Sequence, residues 1–324
     1  MSVDIEDPIA APAGGAPRTS VAAGSVARSA AEATWAAFAL LTGVIAARHL
    51  GPVGKGTVSS IGYLVALVAP AVTLGLGEAG VTLARGRGTD LRRVVGTTIS
   101  WLIVASVVGA AVLVGLLALQ FRGDLSILRG ATMAAVASVP AMAVWLVFSL
   151  FVEAEGGLIA SAAIKVLVGA VTAVASAVLV LGFELAQAGA VAGMAAGFVA
   201  GAVATTAWLW IRRGVAPVPR WDPGYLRAAI AVGLPIVGSY LLLGTAARLD
   251  LLIVQGIKGS EDAGLYSVAL TMGQLVFYGP VAVAVASYGV AAGLGAGDVV
   301  AFIERAGRTG VAAGVVCAVA LVPI

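Results

Sequence analysis

Six charged side chains stand inside or at the edges of long apolar runs: Arg28, Glu32, Glu78, Lys165, Arg248 and Asp250. A charge at the centre of a bilayer costs about 2.5–3.5 kcal/mol on insertion scales, so such a group is expected to face a cavity, water or a partner. The chemistry open to these residues is ion pairing and ion binding. A guanidinium pairs bidentately with carboxylate or phosphate oxygens, whereas an ammonium acts as a point charge. Arg28 and Glu32 lie four apart and are spaced for an ion pair on one helix face. Arg248 and Asp250 lie two apart, about 200° around a helix, and cannot neutralise each other on one face. Arg28, Glu32, Lys165, Arg248 and Asp250 are therefore the candidates for a substrate cavity, with helix-end anchoring or capping as the alternative for the last two. Glu78 follows a 22-residue uncharged run and is expected at a surface. Glu153 and Glu155 have no cation near them in sequence and are expected to end a span in the interface.

Catalytic constellations are missing. There is no Walker phosphate loop, and a lone His49 and a lone Cys317 cannot build a metal site or a disulfide framework. No catalytic residue, metal ligand or cofactor is expected, and the chain reads as a non-enzyme. Repeated small residues such as Gly193-Met194-Ala195-Ala196-Gly197 and its continuation to Gly201 match the small-xxx-small pattern of close helix packing.

The elements that must position these charges are membrane spans. Of the 324 residues, 60% are hydrophobic and only 11% charged, which excludes both an ordinary soluble domain and disorder. Long unbroken apolar runs exclude the short alternating segments of a transmembrane β-barrel. About 20 apolar residues carry a helix across the hydrocarbon core. Uncharged runs at 56–77, 94–121, 130–152, 185–211, 228–247 and 263–297 meet that length. Three more are expected at 33–47, at 156–183 around Lys165, and at 309–324, where the sequence given stops while still apolar. The prediction is an all-α polytopic membrane protein of about nine transmembrane helices, with the last apparently truncated.

Lys and Arg distribution sets the expected orientation. With the N-terminus cytoplasmic, 12 Lys and Arg fall in cytoplasmic segments and five outside. The net charge of +3 then follows from topology and implies no nucleic-acid partner. Residues 1–27 are Ala-, Pro-, Gly- and Ser-rich with Asp4, Glu6 and Asp7, unlike a secretory signal, and are expected to be a disordered cytoplasmic tail.

A weak internal repeat organises the spans. Shifted by 208 residues, Gly51, Gly56 and Ser59 match Gly259, Gly264 and Ser267, and Pro70 corresponds to Pro280 with a slip of two. Six helices per unit give two copies of the same orientation, related by a pseudo-two-fold along the membrane normal. The expected division is a complete six-helix lobe at 28–211, a Pro-rich cytoplasmic linker at 212–223, and the start of a second lobe at 224–324.

Several phrases carry a family resemblance. Ala47-Arg48-His49-Leu50-Gly51-Pro52 with Gly56, then Gly75-Leu76-Gly77-Glu78-Ala79-Gly80, resembles the opening of polysaccharide-biosynthesis (Wzx-type) flippases. So do Gly233-Leu234-Pro235, Arg248-Leu249-Asp250 and Ala263-Gly264-Leu265-Tyr266-Ser267 in the second lobe. The resemblance places the chain in the multidrug/oligosaccharidyl-lipid/polysaccharide exporter superfamily. It implies a secondary transporter of the cytoplasmic membrane that flips a lipid-linked oligosaccharide, commonly on undecaprenyl pyrophosphate, alongside polysaccharide assembly machinery and membrane lipids. Two other readings stand beside it. An ion-coupled drug exporter of the same superfamily would favour carboxylates over cations in its cavity, and a membrane scaffold would have no reason to keep embedded charges.

Overall fold

A computed structural model of the chain describes residues 18–87, 90–121, 129–273, 303–312 and 314–315. Among these residues every regular element is a helix. Helix α1 covers Arg18–Thr73 and is broken at Gly51 into two arms. It is followed by α2 (Leu76–Arg87), α3 (Leu91–Gln120), α4 (Arg129–Ala154), α5 (Leu158–Ala177), α6 (Ala186–Arg213) and α7 (Pro223–Lys258). An eighth helix, α8, is described over 260–273. Among the described residues six stretches are long and apolar enough to cross a membrane, and the first of them, Ala27–Leu83, contains both arms of α1. The expected first seven spans thus correspond to described helices. The eighth is described only at its start, so Pro280 lies outside the described residues, as does most of the ninth with Cys317.

The expected tail at 1–27 needs correction. Helix α1 starts at Arg18, so it includes Val21-Ala22-Ala23 and the residues up to Arg28. Alanine is the strongest helix former, which explains why this Ala-rich stretch joins the helix. Residues 1–17 lie outside the described part.

Glycine conformation makes the two sharp breaks. Gly51 has φ 67° and ψ −177°, and Gly259 has φ 91° and ψ −175°. This region is open to glycine almost alone. Pro52 then opens the second arm of α1, where its missing N–H costs nothing. The arms fold back on each other there. A Cβ placed on Gly43 would lie 3.6 Å from Lys55 Nζ, whereas an unbroken helix would separate the two residues by about 18 Å.

The helices pack through small residues, as the sequence pattern requires. A Cβ on Gly193 would fall 2.2 Å from Ser176 Oγ, and one on Gly201 2.6 Å from Val168 of α5. Such contact replaces the hydrophobic drive that lipid cannot supply between helices. The largest fully buried side chains include Phe148 and Phe151 of α4, Leu64 and Val65 of α1, and Leu113 and Leu117 of α3.

Helix α7 packs across the first six-span body at both of its ends. Near its start, a Cβ on Gly233 would lie 2.3 Å from Leu74 O, and one on Gly75 2.4 Å from Gly233 O. Near the Gly51 break, Gly56 faces Ser260 O and Gly264 faces Pro52 O, each 1.9 Å from the position a Cβ would take. Ser60 Oγ donates to Gln255 Oε1 at 3.2 Å, and Gln255 Nε2 donates to Ser260 Oγ at 2.8 Å, tying the same end together.

Candidate functional site

A cavity of about 400 Å³ lies between the first arm of α1, the end of its second arm, and α2, α4, α5 and α7. Its charged lining is Arg28, Glu32, Glu78, Glu153 and Lys165. Helical spacing explains how α1, α4 and α5 deliver all of these groups except Glu78. Arg28, Glu32 and Trp35 repeat at four and three residues along α1, so one stripe faces α4 and α5. The tight turn after α4, with Gly156 at φ 84°, reverses the chain. That turn puts Glu153 beside Ser161 of α5, with Lys165 one helical turn further on.

The pairing differs from the local pair expected at Arg28 and Glu32. Arg28 Nη1 bonds Glu153 Oε2 at 2.8 Å, while Glu32 is paired with Lys165. Ser161 Oγ donates to the other oxygen of Glu153 at 2.9 Å. Both ion pairs therefore cross between helices, joining α1 to α4 and to α5. The physical reason is placement: partners on α4 and α5 compete with the i,i+4 neighbour, whose own pairing is worth only about 0.5 kcal/mol. Glu153 has a cation after all, one that lies 125 residues away in sequence. Glu155 likewise pairs with Arg213 at 3.0 Å.

Trp145 lines the cavity and is held by an aromatic stack behind it. Trp35 stacks on Trp145 with centroids 5.8 Å apart, and Trp145 on Phe198 at the same separation. Lys165 Nζ lies 6.0 Å from the Trp35 ring centroid, within cation–π range. Trp145 Nε1 is buried and has no hydrogen-bond partner among the described residues. Tyr240 and Val237 close the cavity from α7.

Glu78 was expected at a surface, yet it lines this cavity at the start of α2. Its carboxylate has no cation among the described residues. Among the described residues the cavity thus holds three carboxylates against two cations.

Arg248 and Asp250 stand apart from this group. Arg248 lines a second space of about 200 Å³ with Tyr63, Tyr240 and Gly244. Pro70 and Tyr240 belong to the walls of both spaces. Asp250 points elsewhere, accepting from Leu251 N at 2.8 Å and from the Tyr266 hydroxyl of α8. The structure therefore brings Arg28, Glu32 and Lys165 together, sets Arg248 next door, and leaves Asp250 as a link to α8.

The end of the bundle that carries the cavity also collects cations. Arg93 pairs with Asp222, which caps α7 by accepting from Tyr225 N at 3.0 Å. The Arg93 guanidinium, and then the Tyr225 N–H, hold the Asp222 carboxyl below the usual carboxylate range. Arg220 N donates to Gly96 O at 3.0 Å, which lays the segment between α6 and α7 against α3.

Neither protein-family profiles nor curated sequences contain a match to this chain. Solved structures do. One described as the outward-facing conformation of a multidrug resistance MATE family transporter of the MOP superfamily aligns with TM-score 0.67 and 15% identity, over 95% of this chain and 72% of that one. A MATE structure in complex with MaD5 aligns with TM-score 0.65 and 17% identity, over 95% and 73%. A MOP superfamily transporter from Pyrococcus furiosus Vc1 (DSM3638), in which reverse polarity of the binding pocket suggests a different function, aligns with TM-score 0.62 and 17% identity, over 91% and 69%. The chain has the all-helical polytopic fold shared by these MATE and MOP superfamily transporters.

Proposed function

We propose that the chain is a secondary transporter of the cytoplasmic membrane that moves a lipid-linked oligosaccharide between leaflets. The observation that carries this reading is the ion-paired cavity between α1, α4, α5 and α7, where Arg28 and Lys165 are each held by a carboxylate. A pyrophosphate needs fixed cations, and these two can change partner from carboxylate to phosphate without first losing all coordination. Sugar hydroxyls and rings suit the remaining lining, because Trp145 and Tyr240 offer flat faces with polar tips. In this reading 28–211 and 224–324 are the two lobes, joined by 212–223, and the cavity end faces the cytoplasm. The arginines gathered at that end support the orientation. The polysaccharide assembly machinery is the partner that would supply and consume the substrate.

An ion-coupled drug exporter is a second reading with its own support. The cavity has more carboxylates than cations, Glu78 has no cation among the described residues, and a solved neighbour is a multidrug transporter. One experiment separates the two. The gene is expressed in a strain lacking its lipid-linked-oligosaccharide flippase and in a strain lacking its main drug exporters. Restored surface polysaccharide supports the first reading. Restored resistance to cationic drugs without surface polysaccharide replaces it with the second.

A further inference from the structure

An apolar groove of about 520 Å³ runs beside the ion-paired cavity, and the proposed function does not yet use it. Its floor is the face Val68, Ala71 and Val72 of the second α1 arm. One wall is the α3 stripe Trp101, Val104, Val108 and Val112, and the other is Leu241 and Thr245 of α7. The spacing of the α3 residues is helical, so a single face of α3 lines the groove. Val104, Val108 and Val112 are each at least half exposed. Gly109 lets α3 approach closely, since a Cβ there would lie 2.4 Å from Val72 Cγ2. Trp101 Nε1 at its rim is already satisfied by Val72 O at 2.9 Å.

Continuity links the groove to the cavity. Leu67 and Leu241 line both the groove and the smaller space of Arg248, and that space shares Pro70 and Tyr240 with the ion-paired cavity. Charged and apolar ligand surfaces thus have adjoining places on one path along α7. Length argues for the occupant. From Trp101 to Leu116 the groove follows α3 for about 22 Å. One leaflet of a hydrocarbon core of about 30 Å is about 15 Å deep, so the groove is longer than the reach of an acyl chain anchored at one surface.

We infer that this groove is the binding site for the long hydrocarbon chain of an amphipathic substrate whose charged headgroup occupies the neighbouring cavity. The inference rests on the proposed carriage of a lipid-linked substrate and adds the place of the lipid. Its test uses the full chain, purified in lipid nanodiscs, and three photoreactive probes: a polyisoprenyl phosphate, the corresponding polyisoprenol, and a phosphatidylcholine with the tag on its acyl chain. Both polyisoprenyl probes are expected to label 101–116. Val108→Trp, which fills the groove, reduces that labelling about tenfold, an energy change of about 1.4 kcal/mol. Val107→Trp, on the 70%-exposed position next to it, leaves labelling unchanged. Equal labelling by the phosphatidylcholine, or equal effects of the two tryptophans, identifies ordinary boundary lipid and overturns the inference. Labelling by both polyisoprenyl probes with no gain from the phosphate upholds the groove and counts against the anionic headgroup reading.

Discussion

Substituting Gly264 by Ala probes the contact between α8 and the second arm of α1. The added Cβ would stand 1.9 Å from Pro52 O, a backbone atom that no rotamer change can move. An ordinary contact begins at about 3.4 Å, so the two helices must separate by roughly 1.5 Å at that point. Overpacking of this kind costs about 1–3 kcal/mol. If the end of the bundle near Gly51 opens and closes during transport, the cost falls on the closed form alone. Its population relative to the open form then drops by roughly 5- to 150-fold. Spin labels at Val53 and Leu265, which are half exposed or more, report this as loss of the short-distance population in double electron–electron resonance. The background carries Cys317→Ser, so that the labels are unique. Gly115→Ala, where a Cβ meets nothing within 4 Å, should leave the distances unchanged. A folded Gly264→Ala protein with the parent distance distribution would refute the reasoning.

Other outcomes follow from the ion pairs and the cap. Asp222→Asn keeps a capping side chain for α7 but loses the charge paired with Arg93. Because the folded carboxyl lies below its usual value, its stabilisation is complete above about pH 4, the unfolded value, and is lost as pH falls through the lower folded one. The difference in thermal midpoint between parent and variant should therefore stay constant from pH 7 to about pH 5 and close below about pH 4. Lys165→Met and Glu32→Gln should each destabilise the protein more than expected from the double variant, and a double-mutant cycle in thermal unfolding should give a coupling of about 1 kcal/mol. Arg248→Ala and Arg248→Lys, compared for transport at equal protein levels, distinguish bidentate recognition, where both lose activity, from anchoring, where Lys substitutes well. Cysteines placed at Val218 and Ser260 should react with membrane-impermeant maleimide from the cytoplasmic and the external side respectively.

Much of the fold was legible because membrane spans obey a length rule that charge placement makes visible. Uncharged runs at 94–121, 130–152 and 185–211 fall on α3, α4 and α6 within a few residues. The small-residue stripe of α6 was legible for the same reason, since lipid offers no other drive for close packing. The cavity was only half legible. Arg28, Glu32 and Lys165 stood out as charges in apolar surroundings, but their partners depend on how α1 lies against α4 and α5, which periodicity along one helix does not encode. Glu153 and Glu78 were missed because each sits at a helix end, where a carboxylate is ordinarily solvated. The break after Thr73, with Leu74 and Gly75 at positive φ, turns α2 inward and carries Glu78 to the cavity. The phrase Gly75-Leu76-Gly77-Glu78 held the signal in its first glycine, which permits that turn.

The internal repeat rested on three identities in ten positions, and geometry adds an independent argument. Gly51 and Gly259, equivalent under the 208-residue shift, share a backbone conformation that few other residues can adopt. The close contacts are reciprocal under the same shift: Gly56 meets Ser260, and Gly264 meets Pro52, the counterpart of Ser260. Reciprocal contacts of this kind are what a local two-fold axis would produce, as in an isologous interface, and they support the proposed two-lobe reading. Five spans, α3 to α7, lie between the second arm of α1 and α8, so in the proposed two-lobe reading the copies enter the membrane in the same direction and the axis runs along the membrane normal. Among the described residues the cavity charges do not follow this symmetry. Arg28, Glu32, Glu153 and Lys165 come from the first copy, and α7 supplies Tyr240 and Val237. In the proposed two-lobe reading, duplication supplies the frame that brings the helices together, and the described charges of the cavity come from its first half.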